Sequence, residues 1–562
     1  MGTSKRWSLG LRFGLAGVTA SVVDLVSGRT LGVGHGAYAR GEMRGVLAVG
    51  RGVKLPAGMA LIDAREYLPS AVRAVAGALK SSKGTGASVV SVGVAASSCV
   101  LLPVTGDGDP LCGRRGFERN PHAYGKSVHH VLSQAAADRI NQIAALRGEG
   151  WPKRFGGSVP ASWFLPKALE LLETASEVYR ASDVLMEAGE WVVWQLTGVL
   201  HRSGCHGGFK QCWSRRHGYP SREFLGNLHP EFANVVDRKL AGARVGAGQT
   251  AGTLTGAMAK RLGLRAGVPV SSSMIDTHAA GVGAGLDGGE QLCILMEESA
   301  THLYTSRVEQ FLGGVCGVVE DGVVPGLYGY EAQQPGFGAS LRWFGGLLAS
   351  VGGSGVGKGV AGRAAAGLVE KVLVRLEKQA EQAGAGAGGL LGLDWLSGSR
   401  SPVADGRLTG VLAGLTAKTS AGEVYRCLQE SLGCGARAIV EMLEGGGLEV
   451  GSVTVCGSWS ARSPGLVGVM CDVLGRPVRV AGTSSVESDG AAILAALGAG
   501  EFSGIEQAQR KLGGGRSYRT VKPRAGHAEV YRGLMEEYRR LTGLLGRYEV
   551  PTLKNLRGLV QG

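Results

Sequence analysis

The sequence lacks the features that mark several large protein classes. No run of consecutive apolar residues approaches the ~18 or more that a membrane-spanning helix needs. Behind the basic residues of "MGTSKRWSLG" (1–10) there is no apolar core of a secretory signal. Ten cysteines are scattered over 562 residues with no CxxC pair and no matched spacing. They read as buried thiols of a soluble protein in a reducing, cytoplasmic compartment, not as a disulfide framework. "CHGGFKQC" (205–212) brings Cys205, His206 and Cys212 together, but at no standard zinc spacing. Sixty basic against 46 acidic residues leave a net charge of +14, yet the basic residues cluster only as doublets such as Arg114-Arg115, Arg215-Arg216 and Arg539-Arg540. Without a long basic tract or a stripe interleaved with aromatics, nucleic acid is not the expected partner, and no membrane is either. A diffuse positive excess suits anionic small molecules.

What is present is length, glycine and alternation. A chain of 562 residues exceeds what one hydrophobic core usually organises, so two or more domains are expected. Glycine, at 96 residues, is far above its ordinary share of ~7%. Part of the excess lies in "VGGSGVGKGVAG" (351–362) and "GAGAGG" (384–389), which read as a flexible insertion over 351–389. Elsewhere glycine sits inside helical patterns, where it lowers stability by up to ~1 kcal/mol per exposed site. Short apolar runs alternate with amphipathic stretches, the pattern of an α/β protein. The expected strands are 89–94, 292–296, 452–456 and 478–481. Helical spacing is clear in 131–146 (Leu132, Ala136, Ile140, Ile143) and near the end (Val530, Leu534, Met535, Tyr538, Leu541, Leu545). A turn-rich break at "GLDGGEQ" (285–291) is the better domain boundary.

Four segments could carry chemistry. "GGSGVGKG" (352–359) nearly spells a phosphate-binding P-loop, but Gly359 stands where a Ser or Thr should bind magnesium, and the preceding "FGGLLASV" is a doubtful strand. In "SSSMIDTHAAGVGAG" (271–285) Asp276 ends an apolar run ahead of small residues. That is how α/β enzymes present a general base, and also how an Asp begins a helix. Glu331, among the turn formers and aromatics of "VVPGLYGYEAQQPGFG" (323–338), could grip a polyol or be a solvated loop carboxylate. Lys210, between the aromatics of "GGFKQCW", could hold a ligand or snorkel at the surface.

Taken in order, these segments resemble the ribulokinases of the FGGY carbohydrate kinase family from about residue 8 to about residue 545. The matching stretches include "NPHAY" (120–124), "SWFLPKALE" (162–170), "VVWQLTG" (192–198) and "HGYPSREFLGNLHPEFANVVD" (217–237). Further matches are "MIDTHAAGVGAG", "GVCGVVEDGVVPGLYGYEA" (314–332), "GLDWLSGSRSP" (392–402) and "MCDVLGRPVRVA" (470–481). The resemblance implies two actin-like (ribonuclease H-like) α/β lobes around a central cleft: a sugar-binding lobe over 8–285 and a nucleotide-binding lobe over 286–546. It also implies ATP and Mg2+, with the γ-phosphoryl group passing to a hydroxyl of L-ribulose or a related sugar. Homodimerisation stays open. Residue by residue, Asp276 matches the Asp that takes the hydroxyl proton, Lys210 and Glu331 match positions that hold the sugar, and Ala96 matches a small residue beside it. On the nucleotide side Gly14, Ser299 and Gly457 are retained.

The departures lie on the phosphate side. In "RFGLAG" (12–17), Arg12 replaces the Asp that helps organise magnesium. In the second loop Glu297, Glu298 and Ala300 surround the retained Ser299, and Gly457 is followed by Ser458. Ser162, Ala95 and Ala339 also stand where the family carries acidic residues. Two carboxylates in a phosphate seat repel it: two like charges ~4 Å apart cost about 4 kcal/mol at an effective dielectric of 20, roughly a thousandfold in binding. Arg12 could offset this by pairing with Glu297 across the cleft or by binding a phosphate, and the glutamates could instead recruit an extra magnesium. Two functions follow: an active sugar kinase, or a degenerate relative that keeps a sugar site and transfers phosphate slowly or not at all.

Overall fold

The computed structural model describes residues 5–352, 363–482, 485–513, 515–546 and 551–558. Two seven-stranded sheets dominate it. In the first, the path runs Thr250–Thr253, Pro269–Ser271, Val89–Ala96, Trp7–Phe13, Gly17–Asp24, Thr30–Ala37, with the short strand Met274–Ile275 also paired to Val89–Ala96. In the second it runs Gly317–Glu320, Tyr328–Gln334, Ala300–Ser306, Gln291–Met296, Ser452–Cys456, Val478–Ala481, Tyr518–Val521.

The two sheets repeat one plan. Trp7–Phe13 and Gln291–Met296 each turn back into an antiparallel neighbour, Gly17–Asp24 or Ala300–Ser306, and each lies parallel to a later strand, Val89–Ala96 or Ser452–Cys456. Strands covered on both faces read as continuous apolar runs, not as alternation. That is why "WSLGLRF" and "QLCILM" are almost wholly buried. All four strands expected from the sequence form, within a residue or two of the expected bounds.

Helix Val486–Gly498 ties the two halves together. It follows a strand of the second sheet but packs on Trp7–Phe13 and Val89–Ala96 of the first, and along helix Asp276–Gly283. Glycine makes this crossing possible. A Cβ on Gly10 would stand 1.7 Å from the Ser488 carbonyl oxygen, on Gly93 2.0 Å from that of Ala491, and on Gly490 1.8 Å from that of Ala279.

Three expectations change. The insertion 351–389 is not a flexible linker in its described part: Arg363–Ala383 is a helix whose Leu373, Leu376 and Ala380 recur at helical spacing and are buried in the second core. Gly384, Gly386, Gly388 and Gly389 then form an ordered left-handed turn around the buried Ala387. "FGGLLASV" belongs to helix Phe337–Gly352, so no strand leads into the P-loop-like segment, whose residues 353–359 lie outside the described ones. The two amphipathic stripes are shifted. Leu132 precedes its helix, Gln134–Leu146, which buries Ala136, Ile140 and Ala144. Val530 is exposed while Tyr531, Met535 and Tyr538 face the core. The two tyrosines take inward positions because their hydroxyls donate to buried carboxylates, Tyr531 to Glu430 and Tyr538 to Asp394. Among the described residues no helix is long and apolar enough to cross a membrane.

Candidate active site

Three neighbouring parallel strands of the first sheet end side by side. Arg12 pairs in register with Ala95, and Ile275 with Ala96. Their carboxyl ends bring together Arg12, Ala96, Ser97 and Asp276, the place where open α/β sheets take ligands. Asp276 is the first residue of helix Asp276–Gly283 and 6% exposed; it is not the helix cap, a place Ile275 takes with no side-chain capping bond. Arg12 donates through Nε (3.2 Å) and Nη2 (3.1 Å) to Asp276 Oδ2. The Ser97 hydroxyl donates to the same oxygen (3.0 Å), and the Thr277 backbone N–H donates to Oδ1 (2.9 Å). A carboxylate oxygen offers about two lone-pair sites. Oδ2 is therefore saturated, and Oδ1 keeps one site for an incoming hydroxyl.

A second group is buried nearby. Lys210 ends helix Gly204–Lys210 and is not a surface lysine; Glu331 is not on a loop but in strand Tyr328–Gln334, 1% exposed. Lys210 Nζ donates to both oxygens of Glu331 (2.7 and 2.8 Å) and lies 5.5 Å from the centre of the Trp163 ring. His278 Nε2 meets Glu331 Oε2 at 2.8 Å, and Gln333 Nε2 donates to Oε1 at 2.8 Å. Since a carboxylate only accepts, Nε2 of His278 carries the proton, and Nδ1 takes the S–H of Cys205 at 3.3 Å. Burial by itself would raise the Glu331 carboxyl, but Lys210 and His278 bring it down to about 2. Burial pushes His278 below its ordinary value, so the imidazole is neutral. Helix Asp276–Gly283 carries both groups, Asp276 at its first residue and His278 at its third.

The phosphate-side candidates are arranged around two hairpin turns. Gly14 is buried under the Arg12 side chain: a Cβ there would lie 2.6 Å from Nη1. Ser299 is exposed in the turn between Gln291–Met296 and Ala300–Ser306. Gly457, with φ 93°, precedes the short helix Ser458–Arg462; a Cβ there would meet the Met296 carbonyl oxygen at 2.8 Å and Glu297 Oε1 at 2.9 Å. The two glutamates are each engaged. Glu297 accepts from the backbone N–H of Ser458 (2.6 Å) and from its hydroxyl. Glu298, 55% exposed, accepts from Arg342 Nε (3.0 Å), which also binds Glu370 (2.9 Å).

Of the alternatives that the sequence left open, the Arg12–Glu297 pair is not formed. Arg12 turns to Asp276, and Glu297 adds only a longer-range field. The physical reason is register: Arg12 and Asp276 stand at the carboxyl ends of the strands on either side of Val89–Ala96, while Glu297 belongs to the second sheet and is used up closing the gap to Ser458. Sequence reasoning missed Ser97, His278 and Gln333, each one or two residues from a named candidate. It also missed Glu487, in the first turn of Val486–Gly498, whose carboxyl burial pushes up to about 7 against the pull of Arg12. Among the described residues no group of three or more His, Cys, Asp or Glu side chains is arranged to hold a metal ion. With the cation of Arg12 on Asp276, these residues do not fit a protein-held magnesium.

Residues 293–499 match the C-terminal domain of the FGGY family of carbohydrate kinases. The chain is 34% identical over 560 residues to the ribulokinase of Halalkalibacterium halodurans, covering 99% of this chain and 97% of that one. It is 34% identical to the ribulokinase of Mycolicibacterium smegmatis, covering 98% and 96%. Solved structures with the same two-lobed fold include the xylulose kinase of Rhodospirillum rubrum (TM-score 0.75, 20% identity, 96% of this chain and 99% of that one). Another is the glycerol kinase of Plasmodium falciparum with ADP (TM-score 0.71, 12% identity, 96% and 98%). On a match of this length and identity, over both sheets and the helix that joins them, the chain belongs to the FGGY family of carbohydrate kinases.

Proposed function

We propose that this kinase transfers the γ-phosphoryl group of ATP to a hydroxyl of a pentulose, with L-ribulose the first substrate to test. The observation that carries the reading is the buried assembly on and around helix Asp276–Gly283: a carboxylate paired with Arg12 and keeping one open lone-pair site, beside a lysine–glutamate–histidine network. In this reading the sugar hydroxyl binds Asp276 Oδ1, its oxygen attacks the γ-phosphorus, its proton passes to Oδ1, and ADP leaves with the electrons of the broken P–O bond. A strong base is not needed when the transition state is loose, because positioning supplies most of the rate.

Lys210 and Gln333 recognise the other hydroxyls, His278 holds Glu331 in place, and Ala96 leaves room beside them. All four acceptor sites of Glu331 are taken, so a hydroxyl reaches that carboxylate only by displacing one of its partners. We assign sugar binding to residues 8–285 and nucleotide binding to 286–546, with Gly14, Ser299 and Gly457 lining the phosphate path and magnesium arriving on the nucleotide. The ten buried, unpaired cysteines support a reducing, cytoplasmic setting.

The test is ADP release with L-ribulose, D-xylulose and ribitol as acceptors. L-Ribulose is expected to give the highest kcat/KM. Asp276→Asn is expected to abolish turnover while leaving sugar affinity, by calorimetry, within about tenfold. Wild-type turnover in that variant would remove Asp276 from its role.

A further inference from the structure

Resting on the kinase reading above, we propose that Arg12 is a catalytic residue: its guanidinium holds Asp276 and meets the transferring phosphoryl group in the place a protein-held metal ion would fill. Three observations lead there. First, position: Arg12 ends the central strand of the first sheet, its Nε and Nη2 on Asp276 Oδ2, so it touches the group that accepts the proton. Second, spare donors: of five N–H groups two are used on Asp276, which leaves three on a side chain that is 34% exposed. Gly14, which admits no Cβ beneath Nη1, lets the guanidinium lie flat against the turn. Third, charge: the carboxylates of Asp276, Glu487 and Glu297 all act on this one cation. They form no metal-ligating group among the described residues.

A planar guanidinium matches the geometry of phosphoryl oxygens, and its charge needs no reorganisation as negative charge spreads over them. As the alcohol oxygen bonds to phosphorus and its proton moves to Asp276 Oδ1, Arg12 neither gains nor loses a proton. It keeps Oδ2 occupied, so the substrate hydroxyl is directed to Oδ1, and it draws the phosphoryl oxygens toward the same side.

The test combines kinetics with metal binding. Arg12→Ala is expected to lower kcat at least ~100-fold, with L-ribulose affinity by calorimetry within about threefold of wild type. Millimolar guanidinium ion should restore part of that loss, at least about tenfold, which a merely structural ion pair would not show. Arg12→Lys, which keeps the charge and so the fold, should retain more kcat than Ala but less than a tenth of wild type. Nucleotide-free wild-type enzyme titrated with Mn2+ should show no protein-bound ion by paramagnetic resonance. Near-wild-type kcat in Arg12→Ala, absence of guanidinium rescue, or a bound Mn2+ that Asp276→Asn removes would each overturn the proposal. A wild-type chain that phosphorylates no pentulose would sink the functional reading, and the manganese measurement would still decide whether Arg12 fills a metal's place.

Discussion

Lys210 and Glu331 form an exacting pair, because each is nearly inaccessible to water and each satisfies the other. Breaking one partner of such a pair leaves an uncompensated buried charge and typically costs 3–5 kcal/mol, whereas replacing both together is often nearly neutral. Lys210→Met and Glu331→Gln are therefore each expected to destabilise the protein by about 3 kcal/mol in urea unfolding. The double variant should recover most of that loss while sugar binding stays absent. Equal losses in the single and double variants would show that the two residues are not coupled. At this scale the sequence offered candidate residues but not whom they hold. Lys210 and Glu331 were legible as candidates from their aromatic surroundings, yet the surface lysine and the loop carboxylate were equally good readings until burial excluded them. Arg12 illustrates the limit: its partner stands 264 residues away, and no local pattern encodes that distance.

Helix Val486–Gly498 is the element on which the halves depend, and glycine separates what it tolerates from what it does not. At Gly93 and Gly490 a methyl group would strike a main-chain oxygen that cannot move aside without shifting the helix. Overpacking of this kind costs 1–3 kcal/mol or more. Gly93→Ala and Gly490→Ala are each expected to lower stability in urea unfolding by at least about 2 kcal/mol. Both should also reduce kcat: Gly490→Ala pushes apart the two helices that carry Glu487 and Asp276, and Gly93→Ala pushes the Glu487 helix off the strand that ends beside Asp276. By contrast Gly533 and Gly543, on the exposed face of helix Ala528–Leu545, have nothing within 4 Å of where an added methyl group would sit. Ala at each should raise stability by about 0.5–1 kcal/mol. The glycine enrichment thus has two origins, close backbone approach and positions under no structural demand. The bounds of strands were readable because continuous apolar runs survive any neighbour; the insertion was misread because its glycine runs drew attention away from the Leu373–Leu376–Ala380 spacing between them.

Across the whole molecule, buried ionisable groups set a pH dependence with a definite sign. Glu42, Glu170 and Glu331 are held at about 2: burial raises each, and hydrogen-bonding and cationic neighbours more than reverse it. Their contribution is complete above the unfolded value near ~4.3 and is lost as pH falls toward 2. His122, His201, His206 and His302 are lowered by burial to about 4, so theirs is complete above ~6.5 and is lost on the way down to 4. Glu187 and Glu487, raised by burial to about 7, act the other way, and their contribution fades as pH rises from ~4.3 through 7. With His130 and His278 also lowered by burial and Glu377, Asp394 and Glu430 also raised by it, six imidazoles stand against five carboxyls. Stability measured by urea unfolding should climb steeply from pH 2 to about 4.3, at about 4 kcal/mol per pH unit for the three carboxylates, then more gently to about 6.5, and fall slightly toward 7. A maximum below pH 5 would contradict this balance.

The amino-acid order by itself determined the strands Val89–Ala96, Gln291–Met296, Ser452–Cys456 and Val478–Ala481, the family, and the residue types available at the site, because apolar runs and turn formers act over a few neighbouring positions. Tertiary structure alone decided that Arg12 meets Asp276, that Glu297 is taken by Ser458, and that a helix from the second half covers the first sheet. Those outcomes depend on which strand ends stand side by side. That adjacency is set by the pairing of whole sheets and by glycine-lined contacts between segments hundreds of residues apart.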